Sequence, residues 1–218
     1  MSVKPSWFPN WTGLKCAIIA SGPSAKAENL DVLRGNARII VINDSWRLAP
    51  FADVLYACDS EWWERSQPEF AGLKISGLGG GEHQVEVARD PSGRWLNKMV
   101  FEPLGVVGAG GNSGFQALNL AIQFGATDIA LVGFDMRVDR GIHWHGPHRN
   151  AKNPSERSVE VWRAHLDNAS TSLVQRGVSV VNCSAVSALT QYKKVELEAW
   201  LARPAAENPP SSSRAWAA

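Results

Sequence analysis

The stretch from Gly110 to Asp135 limits what this chain can become more than any other. It opens with a small, flexible loop (Gly110, Gly111, Asn112, Ser113, Gly114). An apolar segment follows, with Phe115, Leu118 and Ile122 at helical spacing and Ala117, Leu120, Ala121 and Phe124 widening the stripe. Gly125 stands where a helix stop needs positive φ. Ile129 to Val132 is then a continuous apolar run of the kind found in parallel strands buried on both faces, and it ends in Gly133, Phe134 and Asp135. Loop, helix and buried strand in this order define half of a βαβ unit. The first amides of a helix lack intrahelical partners, and the helix dipole adds positive charge there. Glycine lets an anion come close, so the loop is a candidate phosphate seat. The plainer reading is a tight loop that only joins two elements.

The same grammar recurs. Cys16 to Ala20 reads as a buried strand running into Ser21, Gly22, Pro23 and Ser24, with a helix expected from there to about Leu33 and Ser24 as its cap. This is not the dinucleotide fingerprint, since its second and third glycines are missing. Strands are expected at 39–42, 54–57, 129–132 and 178–181, each separated from the next by a helical or long segment, as parallel crossovers require. The expected fold is a single doubly wound, Rossmann-like α/β domain with a mostly parallel sheet at residues 14–203. An irregular arm at 1–13 precedes it, and a Pro/Ser/Ala-rich disordered tail at 204–218 follows. Residues 73–108 suggest a hairpin insertion or lid, with short strands near 84–88 and 98–102.

Composition narrows the function. A formal charge of +1 gives no electrostatic argument for nucleic acid or an acidic membrane surface. No signal peptide and no membrane-length apolar run is visible, so a cytoplasmic location is expected. Cys16, Cys58 and Cys183 are far apart without metal-like pairing. Three successive strands end in small polar clusters: Ser21 with Gly22, Asn43 with Asp44, and Cys58 with Asp59. Such ends, together with the Gly110 loop and Asp135, predict one crevice at the carboxyl edge of the sheet.

A polar loop after Asp135 carries His143, His145 and His148 around Trp144. Three readings are open. Imidazoles and a carboxylate can bind Zn²⁺. A histidine can take a proton from a substrate hydroxyl near neutral pH. Or the histidines only stack in a solvated loop.

The ordered set now has a familiar form: Ser-Gly-Pro-Ser after a strand, a second strand ending at Asn43, Gly-Asn-Ser-Gly opening an apolar helix, and a strand into Gly-Phe-Asp-Met. It resembles the bacterial sialyltransferases of glycosyltransferase family 42, the related motility-associated glycosyltransferases, and a family of small phage and prophage proteins of unsettled function. The likeness to the last group extends to the Asn-Cys-Ser-Ala-Val-Ser-Ala-Leu run at Asn182 to Leu189. The resemblance covers about residues 15–200. Archaeal pterin diphosphokinases share a similar core. It implies a metal-independent glycosyltransferase-like protein using a nucleotide-activated sugar, with no cofactor. Ser21, Gly22, Pro23, Ser24 and Asn43 would lie along the nucleotide, and Asn112, Ser113 and Gly114 against its phosphate or ribose. Gly111 and Asp59 complete the expected nucleotide set. His148, with His145 second, would be the general base, on a loop that closes over the donor, and Asp135 would orient that loop or the acceptor. Two departures stand out. Ser21 replaces an asparagine of those enzymes, and the tyrosines that would steady the leaving phosphate are absent after Asp135; the only tyrosines are Tyr56 and Tyr192. The alternatives are a Mg²⁺-dependent pyrophosphokinase, with Asp135, Asp59 or Asp44 as ligands, and a non-catalytic nucleotide-binding accessory protein. The expected partners are a nucleotide or nucleotide sugar and an acceptor of unknown identity, with self-association left open.

Overall fold

The computed structural model describes residues 4–149 and 152–204; the expected tail lies, from residue 205 on, outside the described residues. The expected α/β class is what is found. Eight strands form one sheet in the order β10-β9-β8-β1-β2-β3-β4-β5, and every pairing in it is parallel. They are β1 (Lys15–Ile19), β2 (Arg38–Ile42), β3 (Val54–Ala57), β4 (Leu73–Ser76), β5 (His83–Gln84), β8 (Asp128–Val132), β9 (Ser179–Asn182) and β10 (Lys193–Lys194). The chain builds outward from β1 through β5, then returns to lay β8 on the other side of β1. The order therefore reverses between β1 and β8, the place in an open parallel sheet where a ligand crevice is expected at the carboxyl ends of the strands.

Strand periodicity splits the core in two. Cys16, Ile18, Ile40 and Ile42 face one layer with Phe115, Leu118, Leu166 and Leu173, from α2 (Ser113–Gln123) and α3 (Glu156–Gln175). Ala17, Ile19, Ile39 and Val41 face the other, with Trp62 and Trp63 of α1 (Ser60–Ser66) and Leu197 and Trp200 of α4 (Leu197–Leu201). Both faces of the sheet are covered, as continuous apolar strands demand. Each fully buried large side chain contributes roughly 1.5–3 kcal/mol through removal from water.

Four local expectations are corrected. The segment after Ser24 is not one helix but two short 3₁₀ turns, Pro23–Ala27 and Leu30–Leu33, broken where Glu28 is extended. Ser24 does not cap, because its hydroxyl and amide are used on Asp135. Residues 98–102 form no strand. There the backbone of Val100 is held instead by α2: its N–H donates to Asn119 Oδ1, and its carbonyl accepts from Asn119 Nδ2 and Gln123 Nε2. The 73–108 segment is also no hairpin insertion. It supplies β4 and β5 to the main sheet and a separate parallel pair, β6 (Glu86–Val87) with β7 (Val106–Val107). The arm before β1 is packed as well, with Phe8 and Trp11 buried edge-on against Phe124. Among the described residues, no helix is long and apolar enough to cross a membrane.

Candidate functional site

A cavity of about 490 Å³ opens at the carboxyl ends of β1, β2, β3 and β8. Ser21, Gly22, Asn43, Asp59, Gly111, Asn112, Ser113, Gly114, Asp135 and His148 all line it. Three expected site residues, Pro23, Ser24 and His145, are not among its lining. The sheet thus gathers residues more than a hundred positions apart, because consecutive parallel strands deliver their polar ends to one edge.

The first wall is a clamp. Gly22 N–H donates to Gly133 O at 2.9 Å. Asp135, only 2% exposed, accepts the Ser24 amide at 3.0 Å and also the Ser24 hydroxyl. Asp135 therefore fastens the Ser21–Ser24 loop, and among the described residues its carboxylate makes no hydrogen bond to the histidine loop. The two oxygens of a carboxylate match the two donors of Ser24, and charge strengthens both bonds. Asp135→Asn presents one acceptor oxygen where two were used. It is expected to cost about 1–2 kcal/mol, read as a lower urea midpoint, with faster amide exchange at Ser24 than elsewhere in the fold.

The second wall is the start of α2. Asn112 is the N-cap, and its side chain accepts from Phe115 N at 3.0 Å, so that amide is satisfied from within the protein. Ser113 Oγ accepts from Cys58 N at 3.3 Å, tying this wall to the end of β3. Gly110 has φ +56, and a Cβ there would lie 2.0 Å from Phe115 Cγ, which excludes any side chain. Its carbonyl meets His165 Nδ1 of α3 at 3.0 Å. Gln116 donates to Ala109 O and accepts from the buried Tyr56 hydroxyl, so the loop is braced from below.

The histidines close the third side. Trp144 N–H donates to Ser21 O at 2.9 Å, and His143 Nδ1 lies 3.0 Å from Ser21 Oγ. Asn153 brackets His148, accepting its N–H and donating to its carbonyl. The loop is thus moored to the first wall and to the approach to α3. The rings of His143, His145 and His148 lie 4.7–5.1 Å apart. Burial lowers the pKa of His143 to about 4, helped by the charges of His148 and His145. Burial, followed by the charge of His145, also lowers that of His148. A histidine held neutral can accept a proton or offer a lone pair. His145 Nε2 lies 3.8 Å from Asp44 Oδ2.

Several lining residues were not singled out from sequence: Trp62, Arg65, Arg137, Lys152 and Trp162. Arg137 is paired with Asp139, whereas Arg65 and Lys152 have no ion pair among the described residues. Isolated basic residues on helices or loops carry no spacing signal, so only the fold reveals them.

No family model matches the chain, and no curated protein does. Among solved structures it is similar to the sialyltransferase CstII from Campylobacter jejuni, described in complex with the substrate analogue CMP-3FNeuAc. The TM-score is 0.54 at 14% identity, over 84% of this chain and 86% of that one. At that identity the likeness shows a shared α/β fold and no more.

Proposed function

We propose that the protein is a glycosyltransferase-like enzyme that binds a nucleotide-activated sugar without a catalytic metal. The observation that carries this reading is the crevice itself: a cavity at the point where strand order reverses, walled by two glycine-containing loops and closed by the histidine loop. The nucleotide lies between the Ser21–Ser24 loop and the Gly111–Gly114 loop, with Asn43 and Asp59 along it. Pro23 and Ser24 shape the first of these loops. Arg65 and Lys152 supply the positive charge that a leaving phosphate needs. His148, which faces the cavity, takes the proton of the acceptor hydroxyl, and His145 is the second choice. The solved neighbour's cytidine nucleotide sugar supports a pyrimidine donor as the first to try.

The test is release of nucleotide from a panel of nucleotide sugars, with chelator present, across simple sugar and lipid-free acceptors. Saturable release from one donor class supports the reading. Release that requires Mg²⁺ and yields phosphorylated product instead favours phosphoryl transfer.

A further inference from the structure

Asp44, His145 and His148 come from two distant parts of the chain, the end of β2 and the loop after β8. Each offers one ligand atom, and these atoms all lie within 4.8 Å of one another. We propose that these three side chains form a binding site for a divalent transition metal of the zinc class, at the edge of the cavity. The donor set fixes the class. Two imidazoles and one carboxylate suit Zn²⁺ and its neighbours, whereas Mg²⁺ and Ca²⁺ want oxygen ligands throughout. Three protein ligands leave a fourth position open, and one of the three, His148, lines the cavity.

The surroundings of Asp44 match those of a ligand. It is buried at 9% exposure, and Trp62 Nε1 donates to its Oδ2 at 3.3 Å. Arg47 lies 3.5 Å from the other oxygen. Such outer contacts orient a ligating carboxylate. His145 lies 3.8 Å from Asp44, too far for a hydrogen bond but a short inward rotation from sharing an ion. Tetrahedral zinc with bonds of about 2.0–2.1 Å would draw the three atoms to roughly 3.4 Å apart.

The site stands independently of the transfer reading, but its consequence rests on it. A metal uses the imidazole lone pair that a general base needs. Bound ion and proton abstraction by His148 therefore exclude each other, and the metal holds the enzyme inactive.

The test uses the full chain, free of any affinity tag and stripped with chelator. Co²⁺ titration is expected to raise visible ligand-field absorption that saturates at one ion per chain, with Zn²⁺ displacing it. Asp44→Asn and His145→Gln should each weaken Zn²⁺ binding by roughly 100-fold or more, beyond the loss of a merely supporting contact. His83→Gln, whose ring stacks on Trp7 at the far edge of the sheet, should leave it unchanged. Imidazole NMR of the unmutated chain gives a second readout, in which Zn²⁺ should shift His145 and His148 and spare His83 and His165. Absence of saturable absorption, undiminished affinity in both folded variants, or shifts confined to other histidines overturns the proposal. None of these readouts involves a nucleotide, so failure here leaves the transfer reading to its own assay.

Discussion

Gly22→Ala is expected to destabilise the protein by about 3 kcal/mol, the upper range for forcing extra atoms into a packed site. A Cβ on Gly22 would lie 2.4 Å from Gly133 O, 2.7 Å from Asp135 Cγ and 2.9 Å from Asp135 Oδ1. The first of these is backbone and cannot rotate away. Relief requires moving the end of β1 from the end of β8, and those two ends form the strand reversal that opens the cavity. The same shift would break the Gly22–Gly133 hydrogen bond and loosen the Ser24–Asp135 clamp. Denaturant unfolding measures the loss. A change below about 1 kcal/mol would show that the two loops are not locked together as described. Gly114 is constrained in the same way: a Cβ there would meet Phe134 Cε1 and Asn112 Oδ1, both at 2.8 Å. Enlarging Gly114 would therefore disturb the fold itself, which makes it a poor probe of binding.

His148→Ala is expected to lower turnover by roughly 10²–10⁴-fold, the usual contribution of a general base, with nucleotide affinity nearly unchanged. The ring lines the cavity while its backbone is held by Asn153, so truncation removes the imidazole without releasing the loop. The comparison belongs in chelator, so that no ion competes for the imidazoles. Parallel losses in turnover and nucleotide affinity would mean that His148 binds rather than catalyses. If His148→Ala and His145→Ala both keep full rate, the loop is structural and Asp59 or Asp44 becomes the base to test.

What could be read from the chain followed from short-range physics. Continuous apolar runs placed all five central strands to within a residue, because strands buried on both faces leave no alternation to misread. Their polar ends located the crevice, since parallel strands bring equivalent ends to one edge. What escaped was decided by long-range bonds. Asp135 sits at a strand end that marks the crevice, but nothing in its own stretch shows that its carboxylate bonds Ser24, far away in the chain. Residues 98–102 looked extended, but Asn119 and Gln123 satisfy that backbone in place of a neighbouring strand. β4 and β5 are short and lie among glycines, so little in their own residues marks them. The pairing of His145 with Asp44 depends on how two crossover loops meet, and no spacing within either loop encodes it.

The central claim is that a nucleotide binds between the two glycine loops. Its most direct test is calorimetric titration of nucleoside mono- and diphosphates into the chain and into Asn43→Asp. Asn43 lines the cavity with φ +49, a left-handed conformation that aspartate tolerates nearly as well as asparagine, so the fold should be kept. The added negative charge faces the nucleotide, and like charges about 4 Å apart repel by roughly 1–4 kcal/mol between bulk water and a protein surface. The account predicts saturable binding of at least one nucleotide at one site per chain, weakened about 10-fold or more in the folded variant. Failure of every nucleotide to bind, or equal affinity in a folded Asn43→Asp chain, would contradict it.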